Sequence, residues 1–300
     1  MKIAVMASPE TIDSARTVMA ALKAEGLPIV GLRYNDGWRN ETRSRMDDLL
    51  SAATHILCVV DLADTAGSWL AYVVGLARGR STPLALYGAG RPREPEAWLA
   101  DAPLFDDPDR AVAYYRDEAA AWAVKEGRRM AKAALLELGI SWHAESLSQC
   151  VREGDTKAVE LFIASGFPPD VRDKAGVPML CLAARSRHVG IVELLLDKGA
   201  NIDAQSDDRG YSALMDAAQQ GDDRLLEVLL ARRADPDLRS KDGQTALVLA
   251  VGRSDATAVE RLLRSGADPD IADKLGLSAR KYAKLFHDPR IDEAFSAIAR

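Results

Sequence analysis

The stretch DGQTALVLAVGRSDATAVERLLRSGADPDIA, from Asp242 to Ala272, decides how the C-terminal half of the chain folds. A glycine-containing turn opens it, and apolar spacing predicts two short helices over 245–251 and 256–264. Gly266 is placed to end the second helix in the left-handed conformation that residues with a Cβ avoid. The stretch is therefore predicted to form one turn–helix–loop–helix unit.

The same unit recurs along the C-terminal half. The glycines that open each unit are 34, 33 and 33 residues apart, at Gly176, Gly210, Gly243 and Gly276. The residues that close the second helices follow a similar spacing, at Gly166, Gly199, Arg233 and Gly266. One helix pair cannot bury its apolar face alone, so a fixed period of this length predicts a stack of neighbouring units that share a core.

A six-residue core marks the first helix of each unit. It reads PMLCLA at 178–183, SALMDA at 212–217 and TALVLA at 245–250. This pattern resembles the ankyrin repeat, whose period is ~33 residues and whose core is T-P-L-H-x-A. The resemblance implies an all-α solenoid that binds a protein partner. The histidine of the motif is replaced by Cys181, Met215 and Val248, so we expect hydrogen bonding between turns to be looser than in the family.

Composition locates the domain boundaries. All five tryptophans precede residue 143, whereas the periodic glycines follow it. We expect an α/β domain over 1–106, a connecting helical segment over 107–140 and ankyrin-like repeats over 141–300. The repeats divide into an atypical N-terminal cap at 141–172, full repeats at 173–205, 207–239 and 241–272, and a polar C-terminal cap at 273–300.

Overall composition narrows the classes of function. The net charge of −6 disfavours a general nucleic-acid binder, which needs basic surface to displace counterions. Cys58, Cys150 and Cys181 show no C-x-x-C spacing and lie in apolar runs, so buried thiols in a reducing compartment are expected. The histidines form no spaced ligand pair, so neither a metal nor a cofactor is predicted. A signal peptide and a membrane-spanning run are not expected either, and the predicted location is the cytoplasm.

Strands and helices alternate in the N-terminal half. Strands are predicted over 2–8, 27–34, 55–62 and 83–87, with helices between them. This order predicts right-handed crossovers and a parallel, flavodoxin-like sheet, which binds ligands at the carboxyl ends of its strands. Residues 91–106 are proline-rich and are predicted to be irregular.

A long helical pattern follows, from Asp107 to about Leu138. Gly127 weakens its middle, which favours two helices there.

The run from Asp64 to Ala77, DTAGSWLAYVVGLA, followed by Thr82-Pro83, carries a second resemblance. It is similar to the Toll/interleukin-1 receptor (TIR) domains and to the nucleoside 2-deoxyribosyltransferase-like group. Both resemblances imply a catalytic glutamate, which falls at Val73 here. Since valine can neither ionise nor act as a nucleophile, we expect no catalytic residue at this position. A pocket for a nucleotide-like small molecule is predicted at Ser8, Asp36, Asp61, Asp64 and Ser68.

Two hypotheses follow from the sequence. In the first, the protein is a non-enzymatic interaction protein that binds an unknown protein partner through turn tips and first helices. The predicted partner-binding residues are Lys174, Val177, Arg185, Arg209, Tyr211, Met215, Gln219, Gln220 and Gln244, with Asp208, Lys241 and Arg253 in a wider set. In the alternative, the protein is an NAD- or nucleoside-processing glycosidase or transferase that relies on Asp61 or Asp64 and is targeted by its repeats.

Overall fold

The computed structural model describes residues 1–33, 40–61, 68–88 and 101–298. The chain divides into two compact units, residues 1–126 and residues 127–300. Within the described ranges, no helix combines the length and the apolar character needed to cross a membrane.

The first unit is built on a five-stranded, fully parallel sheet. The strands lie in the order β2-β1-β3-β4-β5, so β1 lies between β2 and β3. Ala7 at the end of β1 pairs with Arg33 and Val59, which aligns the carboxyl ends of three strands at one edge. The strands are β1 (Ile3–Ala7), β2 (Ile29–Arg33), β3 (His55–Val59), β4 (Leu84–Tyr87) and β5 (Leu104–Phe105).

Helices cover both faces of this sheet, because the side chains of each strand alternate between two apolar cores. Ile3 and Val5 of β1 belong to the core shared with α1 and the start of α4, whereas Ala4 and Met6 belong to the core shared with α2 and α3. The helices are α1 (Ile12–Ala24), α2 (Asn40–Ala52), α3 (Ser68–Gly79) and α4 (Pro108–Glu137), and a short 3₁₀ turn at Pro9–Thr11 leads into α1.

The prediction that residues 91–106 are irregular was wrong at the C-terminal end of that segment. Leu104–Phe105 form β5, which pairs in parallel with β4. The backbone N–H of Leu86 donates to the carbonyl of Pro103 at 2.8 Å, and the N–H of Gly88 donates to the carbonyl of Phe105 at 2.9 Å. A strand of two residues is too short to produce the alternation by which strands are found in a sequence.

The long helical pattern is one continuous helix, not the two that were expected. Helix α4 spans 30 residues and passes through Gly127 without a break. A glycine in a helix costs about 1 kcal/mol, which the flanking contacts of a long helix can offset. On one side Tyr115 is buried and its hydroxyl donates to the carbonyl of Ile56 at 2.8 Å, while on the other Leu135 is buried in the core of the second unit. The boundary between the two units falls inside this helix.

The second unit is a stack of five helix pairs. First helices contact first helices along the stack, and second helices contact second helices. The leucines at one equivalent position of three second helices, Leu195, Leu229 and Leu262, are each 0% exposed and share one continuous core. The pairs are α5 (Ala144–Glu153) with α6 (Thr156–Ala164), α7 (Met179–Arg185) with α8 (Val189–Asp197), α9 (Ala213–Gln220) with α10 (Asp223–Ala231), α11 (Ala246–Gly252) with α12 (Ala256–Arg264), and α13 (Ala279–Phe286) with α14 (Pro289–Ile298).

Recurrent capping residues explain where these helices begin. Ser212 and Thr245 cap first helices, and each side-chain oxygen accepts the N–H three residues later. Asp222 and Asp255 cap second helices in the same manner, at 3.0 and 3.1 Å. These caps satisfy donors that a helix start leaves unpaired. The repeated sequence therefore specifies the helix boundaries locally, before any packing between units.

The turns are joined by a ladder of side chains, contrary to the looser turn-to-turn bonding expected from the missing histidine. An Arg172 guanidinium N–H donates to the carbonyl of Gln205 at 2.9 Å, and the Gln205 amide donates to the carbonyl of Arg239 at 2.9 Å. Arg239 in turn donates to the carbonyl of Ala272 at 2.9 Å. At the histidine position itself, the Cys181 thiol lies 3.3 Å from a backbone carbonyl. Long polar side chains outside the six-residue core thus tie each turn to the next.

Candidate functional site

The turn tips and the first helices of the repeats form one continuous surface, which we call the tip face. It comprises the tips at 174–176, 208–210, 241–243 and 274–276, the C-terminal ends of α7, α9 and α11, and the exposed side of α13. At those helix ends Arg185 is half-buried, and Gln219 and Gly252 are exposed. Side chains from the helices reach the tips directly, because Arg185 at the end of α7 pairs with Asp208 in the next tip. The predicted partner-binding residues were placed on this surface by the sequence.

Three of those residues do not face solvent. Met215 is 0% exposed, Val177 is 3% exposed and Tyr211 is 8% exposed. Met215 takes the place of the motif histidine. The Met215 side chain lies in the core of the repeats. Val177 and Met215 therefore cannot contact a partner without local unfolding. Only a small part of Tyr211 is accessible to a partner. The sequence pattern placed them at positions outside the family consensus but could not distinguish inward-facing from outward-facing side chains.

The other predicted residues differ in how far they are engaged. Lys174 is exposed and pairs with Glu145 at 3.1 Å, and Gln219 is also exposed. Gln220 and Gln244 are half-buried. The amide of Gln220 donates to the carbonyl of Ala184 at 3.2 Å and accepts from the Arg187 guanidinium at 3.0 Å, so this glutamine also joins two repeats.

Arg185 is the centre of a partly buried network of charges. Its guanidinium forms a bidentate pair with Asp208, at 2.7 and 3.0 Å, and its Nε donates to Asp216 at 3.0 Å. A further N–H donates to the hydroxyl of Ser206 at 2.9 Å. Because the planar fork matches a carboxylate, this geometry fixes both aspartates relative to α7. The pairing also holds the pKa of Asp208 well below its usual range.

Arg209 extends this network to the surface. Its guanidinium donates to Asp216 at 3.1 Å and lies over the Tyr211 ring, 4.5 Å from the ring centre. The Tyr211 hydroxyl donates to the side-chain carbonyl of Gln244 in the next repeat at 3.4 Å. The result is an arginine held in one orientation by a carboxylate and an aromatic ring.

Asp216 has the environment of a functional carboxylate, and the sequence analysis missed it. Its side chain is only 2% exposed although it lies between Arg185 and Arg209. Burial raises the pKa of Asp216 to about 6, and this effect outweighs the opposing effect of the two guanidinium groups. The signal that could have identified it is an aspartate in SALMDA at the position where PMLCLA and TALVLA carry Leu182 and Leu249.

The predicted small-molecule pocket is only partly described. Ser8 and Asp61 follow β1 and β3, whose carboxyl ends lie side by side, so the structure brings these two residues to one edge of the sheet. Ser8 is already engaged, since its backbone N–H and its hydroxyl both lie 3.1 Å from the Thr11 hydroxyl. Asp36, Asp64 and the side chain of Ser68 lie outside the described residues.

Val73 occupies a core position. It is 0% exposed and packs in α3 against the apolar face of the sheet, in the cluster that contains Met6 and Cys58. A glutamate at this position would bring a carboxylate into an apolar layer at a substantial free-energy cost. The described geometry therefore gives residue 73 a packing role.

Free thiols and metal ligands offer no further chemistry in the described part of the chain. Cys58, Cys150 and Cys181 are free and buried, and burial raises the pKa of each thiol. Such thiols are poor nucleophiles, because the thiolate is the reactive form. No group of three His, Cys, Asp or Glu side chains among the described residues could hold a metal ion.

Comparison with known proteins agrees with the repeat architecture. The family model of ankyrin repeats in three copies matches residues 147–240 and 214–288. The chain is 32% identical over 292 residues to a putative ankyrin repeat-containing protein of Treponema pallidum (strain Nichols), a match that covers 97% of this chain and 98% of that protein. The chain belongs to the ankyrin-repeat proteins. The match to the Treponema protein includes both compact units of this ankyrin-repeat protein, since it leaves out only a few residues of the chain.

Other relatives match only a short part of the chain. The mouse ankyrin repeat and SAM domain-containing protein 6 is 40% identical over 70 residues, which is 23% of this chain and 8% of that protein. Human 2-5A-dependent ribonuclease is 37% identical over 67 residues, or 22% of this chain and 9% of that protein. Each of these two matches thus spans less than a tenth of the relative's length.

Proposed function

We propose that this ankyrin-repeat protein is a non-enzymatic interaction protein that binds a protein partner through its tip face. The observation that carries the proposal is the network around Arg185, Asp216 and Arg209, where charged side chains are fixed in place on the face formed by the tips and first helices. Arg209 is 47% exposed, and arginine is enriched among residues that dominate binding energy. Fixing such groups before binding lowers the entropy lost when a partner docks.

We propose a supporting role for the N-terminal α/β domain. The strand order 2-1-3-4-5 is the order of flavodoxin-like sheets, which supports a TIR-like or transferase-like fold over residues 1–106. Residues 107–140 then connect this domain to the repeats of 141–300. The domain would bind a nucleotide-like molecule near Ser8 and Asp61 without catalysing a reaction. The enzymatic alternative has no support from the core position of Val73.

The proposal also covers the class of partner and the cellular compartment of the protein. A net charge of −6 supports a protein partner in preference to nucleic acid. Three buried, free cysteines support a reducing compartment such as the cytoplasm.

Affinity capture from the native cell with the full-length chain tests the proposal. Gln219→Tyr adds a bulky side chain to an exposed position of α9 and should block a partner, while the backbone carbonyl of Gln219 that accepts from Arg253 is kept. The matched control is Arg224→Tyr, which adds the same side chain to an exposed position of the second helix in the same repeat.

The proposal predicts at least one protein that the wild type and Arg224→Tyr capture and that Gln219→Tyr loses, at unchanged urea midpoints. If every captured protein is retained equally by both variants, the tip face is not the binding surface.

A further inference from the structure

Each turn tip carries one basic side chain at its exposed end. These residues are Lys174, Arg209, Lys241 and Lys274, and all four are exposed. Backbone hydrogen bonds align the tips, since the N–H of Lys241 donates to the carbonyl of Arg209 at 2.9 Å and the N–H of Lys274 donates to the carbonyl of Asp242 at 2.9 Å. The N–H of Asp207 likewise donates to the carbonyl of Gly176 at 3.1 Å and joins the first tip to the second. The four tips that carry these cations therefore follow one another along the stack, although the chain as a whole is acidic.

Carboxylates close to the row are largely neutralised within the repeats. Asp207 pairs with Arg172 at 3.1 Å, and Asp208 forms the bidentate pair with Arg185. Asp242 is exposed beside Lys241 and offsets part of the charge at the third tip. Lys174 is itself paired with Glu145 at 3.1 Å, so the positive charge that faces solvent is concentrated at the second and fourth tips.

Arg209 differs from the three lysines because it is held in place. The bond to Asp216 uses one of the five N–H donors of the guanidinium, and the Tyr211 ring supports its plane. The side chain is nonetheless 47% exposed. A carboxylate from outside can therefore approach a guanidinium that has already lost much of its rotational freedom, which favours a bidentate contact.

We propose that the row of tips binds an acidic, extended segment of a partner protein, with Arg209 as its anchor. This inference rests on the proposed function and adds the chemistry of the partner to it. Single cations spaced one per repeat suit carboxylates distributed along a chain. Long-range attraction by the row would steer such a segment to the tip face, while burial of its other side chains would set the lifetime of the complex.

Fluorescence anisotropy with defined probes tests the inference. The probe is a fluorescein-labelled peptide in which glutamate alternates with serine, and its uncharged counterpart replaces glutamate with glutamine. We expect the full-length protein to bind the acidic peptide more tightly, and binding should weaken on the order of tenfold between about 50 and about 300 mM NaCl because salt screens exposed charges.

Variants localise the effect. Arg209→Gln should weaken binding of the acidic peptide on the order of fivefold, and Lys174→Gln should weaken it less. Lys174 pairs with Glu145 at an exposed site, so its replacement keeps the test valid if Arg209→Gln lowers stability. The matched control Arg224→Gln removes the same charge from α10 in the same repeat and should leave binding unchanged.

Three results would overturn the inference: equal binding of both peptides, an equal loss in Arg224→Gln and Arg209→Gln, or tighter, Arg209-dependent binding of oligothymidylate, which would assign the row to nucleic acid. If any of these occurs while Gln219→Tyr still abolishes capture of a cellular protein, the acidic partner is wrong and the interaction function stands.

Discussion

At the residue scale, the main feature is the ion pairing of the buried Asp216 carboxylate with Arg185 and Arg209. The carboxylate is 2% exposed, and it holds Arg209 at the surface while Arg185 ties it to the preceding repeat. A buried carboxylate between two guanidinium groups is costly to assemble, and removing one partner leaves the others unpaired. The position is therefore sensitive to both mutation and pH.

The pH dependence of Asp216 has a defined sign. Its pKa is raised from 3.8 in the unfolded chain to about 6 in the folded chain, so the folded state binds the proton more tightly. Stability therefore rises as pH falls through 6, and the gain is complete near the unfolded value. Between about pH 7 and about pH 5 the wild type should gain about 1 kcal/mol relative to Asp216→Asn.

Urea unfolding of both proteins at each pH measures this difference. Groups shared by the two proteins, including Asp208 and His55, cancel in the comparison. An equal pH dependence of wild type and Asp216→Asn would show that Asp216 keeps an ordinary pKa.

Leu229 tests the shared core of the repeats at the scale of one side chain. It is 0% exposed in α10, at the position equivalent to Leu195 and Leu262. Leu229→Ala should lower the free energy of unfolding by about 2–5 kcal/mol, because it removes buried methyl groups and leaves a cavity. Leu230→Ala is the control: this neighbour is only half-buried and should cost clearly less. Equal losses in urea unfolding would mean that the two side chains are not packed as described.

At the scale of elements, the end of α10 departs from the other repeats. Gly166, Gly199 and Gly266 close their helices with φ of 98°, 86° and 96°, whereas Arg233 takes the same place with φ of 63°. A left-handed conformation is costly for a residue with a Cβ. The repeat keeps this geometry even though its residue disfavours it.

Replacing Arg233 should therefore stabilise the protein. We expect Arg233→Gly to raise the free energy of unfolding by about 1 kcal/mol, since it relieves the left-handed strain. The neighbouring Arg232→Gly should lower stability instead, because Arg232 has φ of −87° and pairs with Asp197 at 2.7 Å. Thermal unfolding distinguishes the two variants. A lower melting temperature in Arg233→Gly than in the wild type would contradict the backbone strain assigned to Arg233.

The elements that the sequence predicted best are those with local signals. Periodic apolar residues, capping residues such as Ser212 and Asp222, and the closing glycines fix the helix pairs within a few residues. Strand β5 has no local signal, since two residues acquire strand geometry only by pairing with β4. The ladder through Arg172, Gln205 and Arg239 was also missed, because its bonds join residues about one repeat apart.

At the scale of the whole molecule, the two halves of the sequence differ in what they reveal. The period of the C-terminal half predicted the ankyrin repeats, and the family model and the Treponema relative confirm them. The N-terminal half has one copy of each element, so the sequence predicted a parallel sheet but could not test its finer family. The sequence predicted which region forms the tip face. It did not predict which side chains there point inward, such as Met215 and Val177, because their burial depends on packing.

Hydrogen exchange of the full-length protein with its captured partner tests the central claim most directly, because it maps the contact surface along the backbone. We predict slower exchange on binding at the tips at 174–176, 208–210 and 241–243 and in the first helices α7, α9 and α11. The second helices α8, α10 and α12 should exchange as they do in the free protein. Protection confined to those second helices, with unchanged exchange at the tips, would contradict the assignment of the tip face as the binding surface.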